Sequence, residues 1–199
     1  MSNIALEMED HQQIMDVMKR INKISMQGNR IIEGIYEMCN ISKEDIILTL
    51  NPLDKIVDDA IDSLDNLIQE TNTKIVIDCS HTVLCSLNML PRVFHNLITN
   101  SIKFTKDIRP PEIFIKSFQE NNTIKIKIDD NGPGIPKKNR MNLFNAFERL
   151  HGEEVEGLGL GLNITKKILA IHNAQIWIED SSELGGTSFI IKFIEQQKP

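Results

Sequence analysis

Residue types suited to chemistry gather at three places along this chain of 199 residues. The first is Phe94-His95-Asn96-Leu97-Ile98-Thr99-Asn100-Ser101-Ile102-Lys103-Phe104. Asn96, Asn100 and Lys103 recur there at helical spacing and share one face, with Phe94, Leu97, Ile98 and Ile102 on the apolar side. Two amides and an ammonium in line suit a magnesium-bound polyphosphate, because amide oxygens ligate a hard cation and the lysine offsets phosphate charge. Taken alone, the same stripe also fits a solvated helix face. The second place is Asp130-Asn131-Gly132-Pro133-Gly134-Ile135-Pro136, a strand that ends in a carboxylate and opens into a glycine turn. Its glycines let backbone approach a planar ligand and its carboxylate can accept from an exocyclic amine, although Asp-Asn-Gly also makes ordinary turns. The third is Gly157-Leu158-Gly159-Leu160-Gly161-Leu162, directly before a helix. Glycines there leave N–H groups free to face phosphate oxygens and the helix adds the positive end of its dipole; a hinge or a tight helix–strand contact has the same composition.

The elements that must position these groups follow from periodicity. Pro91 to Phe104 and Leu160 to Ile171 read as helices, and Glu112–Phe118 and Thr123–Asp129 read as alternating strands joined at Asn121-Asn122. Lys74–Asp78, Gln175–Glu179 and Thr187–Ile194 read as further strands, the last two flanking Gly185-Gly186. Upstream, Ile46–Leu50 is β-like, Asn51-Pro52 supplies an N-cap with proline at the first helical position, and Leu53, Ile56, Val57, Ala60, Ile61, Leu64 and Ile68 continue at helical spacing. From Gln12 to Cys39 the positions Ile14, Met18, Ile21, Ser25, Gly28, Ile32, Ile35 and Cys39 alternate in gaps of four and three, which favours the seam of a coiled coil or bundle over a helix packed on its own domain, with Ser25 and Gly28 weakening its middle. The break near Ser42 predicts two domains, 1–44 and 45–199. Residues 131–158 have no sustained period, as a functional lid would have none.

Composition narrows the function classes. Lys+Arg 22 against Asp+Glu 28, a formal net charge of -6 without a separate basic run, lacks the electrostatic footprint of a duplex-binding protein, so nucleic acid is not an expected partner. Three cysteines (Cys39, Cys79, Cys85) at no metal-ligand spacing predict neither a disulfide framework nor a zinc site and fit a reducing compartment. No apolar stretch approaches the roughly 20 residues of a spanning helix, and the start lacks the order of a signal peptide. The expectation is a soluble cytoplasmic chain with no membrane contact of its own, whether complete or the cytosolic part of a larger sensor.

From about Asp45 to Ile194 the sequence resembles the ATP-binding catalytic domain of sensor histidine kinases, within the wider group that includes DNA gyrase, MutL and the heat-shock chaperone ATPases. FHNLITNSIKFT resembles the N box, DDNGPGIP the first glycine box, LFNAFERL the F box, GLGLGL the second glycine box and GGTSF the last. Five boxes in order are far more specific than any one of them. The resemblance implies an α+β fold, a two-layer α/β sandwich of the Bergerat type, preceded here by the long coiled-coil or bundle helix. It implies that Asp130 reads the adenine amino group and that Gly132 and Gly134 shape the base pocket, with Thr187 at the same end. Asn100, together with Asn96, would hold Mg2+ on the phosphates of ATP, and Lys103 would meet phosphate oxygens. Phe104 would lie beside the nucleotide, Gly157, Gly159 and Gly161 would wrap the phosphates, Phe144 and Phe147 would anchor the lid, and Arg149 would reach the terminal phosphate.

Gyrase- and chaperone-type relatives place a water-activating glutamate one helical turn before the N-box asparagine; Asn96 stands there instead. The expected reaction is therefore transfer of the γ-phosphate to a protein histidine, with Asn96, Lys103 and Arg149 as the catalytic set, rather than hydrolysis. The alternative is a nucleotide-binding regulatory or scaffold module that keeps every box without turnover. The family's acceptor pattern is missing: none of His11, His81, His95, His151 and His172 carries it. His11, at the start of the heptad helix, is the strongest of the five, and the acceptor is otherwise expected on another chain or an upstream helix. Implied partners are a second copy through the N-terminal helix, the second helix of a dimerisation domain, and a response regulator or histidine-containing phosphoacceptor. Leu158, where relatives often have threonine, and Asn173, where glycine often ends the helix, depart from the pattern.

Overall fold

The computed structural model describes residues 13–22, 24–26, 28, 29, 32, 34–36, 46–121, 123–149 and 158–194. The chain divides into two compact units, Met1–Asn40 and Ile41–Pro199. His11, Cys39, Asn122, His151, Gly157 and the expected boundary at residues 44 and 45 lie outside the described residues.

In the first unit, residues 13–22 are helical, as are 24–26, 28, 29, 32 and 34–36. Ile14, Met18, Ile21, Ile32 and Ile35 of the expected seam are exposed, and so are Met15, Val17, Ile24, Met26 and Tyr36 beside it. Apolar side chains thus extend past a two-position seam.

The second unit is built on period-two burial. Ile113, Ile115 and Ser117 of one strand and Ile126, Ile128 and Asp130 of the next are buried on one side, as alternation in a half-covered sheet requires. The strands are β1 (Thr49–Pro52), β2 (Lys74–Asp78), β3 (Thr82–Cys85), β4 (Glu112–Glu120), β5 (Thr123–Asp130), β6 (Ala174–Asp180) and β7 (Thr187–Phe193). Five of them form one mixed sheet in the order β2-β4-β5-β7-β6, with β2 and β4 parallel and the other pairs antiparallel. The strands β1 and β3 form a separate antiparallel pair. Helices α1 (Leu53–Asp62), α2 (Asp65–Glu70), α3 (Leu90–Thr105) and α4 (Gly161–Ile171) complete the unit. Leu53, Ile56, Val57 and Ala60 of α1, Phe94, Leu97, Ile98 and Ile102 of α3, and Ile168 and Leu169 of α4 are essentially inaccessible. Each fully buried large side chain contributes about 1.5–3 kcal/mol, so this layer of helices supplies much of the stability. The expected α+β sandwich is the observed fold.

Three local readings need correction. The apolar run 53–68 is two helices: it breaks at Ser63-Leu64, where the Ser63 hydroxyl donates to the Ala60 carbonyl at 2.7 Å and offers the backbone an alternative to the next turn. Pro52 is the N-cap in extended conformation (φ -65°, ψ 133°), so α1 starts one residue later than the Asn51-Pro52 signal indicates, and Asn51 belongs to β1. The strand β3 has no sequence expectation at all; four residues paired with β1 are too few to show alternation. Asn173, with φ 53°, follows α4 in the left-handed conformation that asparagine tolerates.

Candidate functional site

The helix α3 sets one wall. Proline at its second residue fits the first turn, where an N–H has no helical partner, and sixteen residues without a further break carry Asn96, Asn100 and Lys103 along one stripe. Opposite stand the ends of β5 and β7 and the first turn of α4, enclosing a cavity of about 230 Å³. Asn96, Asn100, Lys103, Phe104, Asp130, Gly132, Gly134, Arg149, Gly159, Gly161 and Thr187 all line it. Of the residues expected in the site, Gly157 lies outside the described residues.

One end of the cavity is organised by Asp130, the last residue of β5, which is 5% exposed. Its Oδ1 accepts from the backbone N–H of Gly132 and of Thr187, each at 2.9 Å, and its Oδ2 accepts from the Ser101 hydroxyl at 3.2 Å. Burial pushes its pKa up; the bonds from Thr187, Gly132 and Ser101 oppose that, and the neighbouring charge of Asp129 adds to it. Two glycines are required for space. A Cβ on Gly186 would lie 2.4 Å from the Asp130 carbonyl oxygen and 2.5 Å from the Gly132 nitrogen. One on Gly132 would lie 2.8 Å from Thr105 Oγ1, a fully buried hydroxyl with no hydrogen-bond partner among the described residues. These segments form a narrow slot whose polar lining suits the amino edge of a flat base.

The other end has longer side chains and looser joints. The Asn96 amide donates from Nδ2 to Thr165 Oγ1 at 3.0 Å, and its Oδ1 would sit 2.4 Å from a Cβ on Gly161, so α3 and α4 meet there at glycine distance. Gly161 and Leu162 of the first turn of α4, with Gly159 just before it, lie on the wall, where a helix start has backbone N–H groups without a helical partner. Lys103 Nζ lies 5.2 Å from the centroid of the Phe104 ring, within cation–π range. Arg149 and Glu148 approach from the segment after Phe144. That segment is fastened by its backbone: Phe147 N–H donates to the Gly159 carbonyl at 3.0 Å, and Asn163 Nδ2 donates to the Phe144 carbonyl at 2.9 Å. Phe144 is buried, with Lys166 Nζ 5.9 Å from its ring centroid. Phe147 is 56% exposed at φ 66°, so its hold on the segment is through its backbone N–H rather than through burial.

Several wall residues escaped the sequence reading. Ser101, Thr105, Leu143, Glu148, Leu162 and Phe189 line the cavity, and Gly186 closes its base end. Ser101 adjoins Asn100 and Gly186 belongs to GGTSF, so both were within the recognised boxes. Thr105 and Phe189 end the FHNLITNSIKFT and GGTSF boxes, and Leu143, Glu148 and Leu162 also fall inside boxes, but none of these five side chains carries a chemical signal of its own. The cavity wall offers amide oxygens at Asn96 and Asn100 for a hard cation, cationic side chains at Lys103 and Arg149 for phosphate charge, and a buried hydrogen-bonded carboxylate at Asp130 for a base edge, so the residues present fit a magnesium-bound nucleotide. Among the described residues no group of three or more His, Cys, Asp or Glu side chains could hold a metal.

Residues 86–197 match the family described as histidine kinase-, DNA gyrase B-, and HSP90-like ATPase. The phytochrome-like protein Cph1 of Synechocystis sp. is 32% identical over 160 residues, covering 80% of this chain and 21% of that protein. The sensor protein kinase WalK of Staphylococcus aureus is 37% identical over 105 residues, covering 51% of this chain and 25% of WalK. Among solved structures, the histidine kinase ThkA in complex with the response regulator protein TrrA shares the fold at a TM-score of 0.69 and 23% identity, over 88% of this chain and 50% of that one. The chain spans 17% to 32% of the length of curated relatives such as these. With the five boxes in order, the helix-covered mixed sheet and the cavity they line, the chain belongs to the histidine kinase-, DNA gyrase B- and HSP90-like ATPase family and carries the catalytic ATP-binding domain of a sensor histidine kinase.

Proposed function

We propose that residues 45–199 bind ATP with Mg2+ and donate the γ-phosphate to a histidine of a two-component sensor kinase, while residues 1–44 supply a dimerisation helix. The observation that carries this reading is the single cavity with a triply hydrogen-bonded carboxylate, Asp130, at one end and the Asn96–Asn100–Lys103 stripe at the other. In it, Asp130 accepts from the adenine amino group through Oδ2, and Gly132, Gly134 and Thr187 border the base. Asn100 and Asn96 hold magnesium through their amide oxygens, and the metal, when bound, neutralises charge on the transferring phosphate. Lys103, Arg149 and the N–H groups around Gly157, Gly159 and Gly161 hold phosphate oxygens, and Phe104 packs beside the nucleotide. Phosphoryl transfer asks the protein for positioning and charge stabilisation rather than covalent chemistry, which is what such a set provides. At the turn where hydrolytic relatives carry glutamate, the Asn96 amide is engaged with Thr165, so water has no base there and a protein nucleophile is the better acceptor.

The response regulator in the ThkA complex supports a regulator as the downstream partner of this chain too. No described helix is long and apolar enough to cross a membrane. A homodimer through the first unit gives its exposed apolar side chains a partner. Ile32→Lys places a charge among them and is expected to convert a dimer to monomer in sedimentation; a monomeric wild type overturns the dimer.

The test of the proposed reaction is incubation with γ-labelled ATP and magnesium, alongside calorimetric binding. Acid-labile, alkali-stable label assigns the acceptor to a histidine of this chain, His11 first. Binding without label or hydrolysis places the acceptor outside these residues. Absence of ATP binding overturns the site, and rapid hydrolysis without acceptor overturns the transfer.

A further inference from the structure

The loop between β6 and β7, residues 181–186, carries Gly186 against Asp130 and delivers the Thr187 N–H to Asp130 Oδ1. What holds that loop lies on the opposite side of the sheet. Along β5 the side chains alternate: Ile126, Ile128 and Asp130 belong to the helix-covered side, so Lys127 and Asp129 belong to the other. Asp129 is nevertheless fully buried, and Lys127 Nζ sits 2.9 Å from its Oδ2. The same ammonium donates to Ser182 Oγ at 3.0 Å, in the middle of the loop. The loop closes on itself through Ser181 N–H to the Gly186 carbonyl (3.0 Å) and Leu184 N–H to Ser181 Oγ (3.1 Å). Its Glu183 and Leu184 border a shallow groove with Val76 and Phe114, so it extends across the sheet as far as β2.

We propose that Lys127, paired with Asp129, is a positioning residue for the base end of the cavity: it holds the β6–β7 loop from the far face of the sheet so that Gly186 and Thr187 stay against Asp130. The inference rests on reading the cavity as an adenine-nucleotide site. Its physical content is an electrostatic tether on the far face of the sheet. A buried carboxylate needs a counter-charge, and Lys127 provides it. The lysine can reach Asp129 and Ser182 together only while the loop lies flat on the sheet. Cross-strand neighbours direct it there. Lys127 stands opposite Lys116 on β4 and Ile190 on β7. Lys116 has its own carboxylate, Asp78, at 3.8 Å, so the two like charges each settle on a separate acid. Asp129 faces Phe114 on one side and Ser188 on the other; neither of its carboxylate oxygens nor Ser188 Oγ has a hydrogen-bond partner among the described residues, so the 2.9 Å approach of Lys127 to Oδ2 is a contact of charges. Lys127 is thus the cation on which Asp129 depends, and the loop's position depends on the pair.

The experiment compares ATP with inosine triphosphate, which replaces the amino group that Asp130 would read by a carbonyl, and uses tripolyphosphate as a probe of the phosphate end. In the full chain, Lys127→Met lowers thermal stability because Asp129 is left uncompensated. The double variant Lys127→Met/Asp129→Leu removes that charge and recovers stability, yet its preference for ATP over inosine triphosphate stays narrowed by about fivefold, the effect of one misplaced hydrogen bond. Tripolyphosphate affinity is unchanged, and Lys127→Arg retains the preference. Ser182→Ala removes only the loop end of the tether and gives a smaller narrowing, with faster hydrogen exchange at the Thr187 amide. A double variant with wild-type preference, or a Ser182→Ala protein with an unaltered Thr187 amide, overturns the positioning role and leaves the nucleotide site standing. A wild type that binds both triphosphates equally overturns the adenine reading itself, and the inference with it.

Discussion

The two ends of the cavity are built on different principles. At the base end Asp130 is fixed by three hydrogen bonds from three separate segments, with glycines at contact distance around it. At the phosphate end the groups stand on long side chains from α3 and from the segment after Phe144, joined by single bonds such as Phe147 N–H to Gly159. The base end is therefore complete before any ligand arrives, whereas the phosphate end has charge to organise and rotamer freedom to lose. On the proposed reading, the rigid slot would take the flat, uncharged ring and the adjustable groups the charged, flexible tail.

Substitutions can break or sharpen that contrast. The largest effect is expected from Asp130→Asn: the amide presents a donor where an acceptor is needed, and ATP affinity should fall about a hundredfold or more with the circular dichroism and melting curve retained. Calorimetry checks it, and unchanged affinity removes Asp130 from base recognition. Next is Asn100→Ala, with a loss of about tenfold in magnesium and little in chelator, because only the metal-bound mode uses the amide; equal losses in both would reassign Asn100 to packing. Arg149→Ala should be milder for binding, about threefold, and greater for phosphoryl transfer, since on the proposed reading it meets the terminal phosphate from the segment after Phe144. Single-turnover measurements separate the two.

The smallest expected effect lies away from both ends. His172, at the C-terminus of α4, accepts the Ser86 N–H at Nε2 (3.0 Å), so its proton is on Nδ1, facing the Ile168 carbonyl at 2.7 Å. Burial lowers its pKa, the bond to Ile168 opposing. The unfolded chain therefore binds the proton more readily; stability is complete above the ordinary imidazole range and declines as pH falls through it toward the lowered value. The melting temperature should drop by about 2–4 °C between neutral and mildly acidic pH, and His172→Gln should flatten that slope without changing ATP affinity.

Legibility in the sequence followed the length over which a physical pattern repeats. The helix α3 and the strands β4 and β5 run long enough for their apolar periods to identify them, and the boxes gather most of the cavity wall. The short strand β3 and the break at Ser63 depend on single contacts with distant or local partners, which no period records. In the site, Asp130 and its glycines announced themselves, but the Ser101 hydroxyl reads as a small helical residue until Asp130 is seen above it. Lys127 and Asp129 look like the solvated face of a strand; only the loop folded over them makes one of them a buried charge. Phe147 shows another case, an aromatic expected to anchor the lid that is exposed and makes its contact through the backbone N–H.

The two amides that hold Asp130 Oδ1 come from residues 2 and 57 positions downstream. This separation has a consequence for the order of events during synthesis. β4 and β5 are a hairpin and can pair as soon as both have left the ribosome, but β5 meets β7 only after the intervening α4 and β6 have been made. Such sequence-distant pairings close late, after the local ones. A nascent chain interrupted before Thr187 therefore carries four of the five boxes and an Asp130 that lacks one of its two amide donors. The set of donors around Asp130 is complete only once β7 has been made.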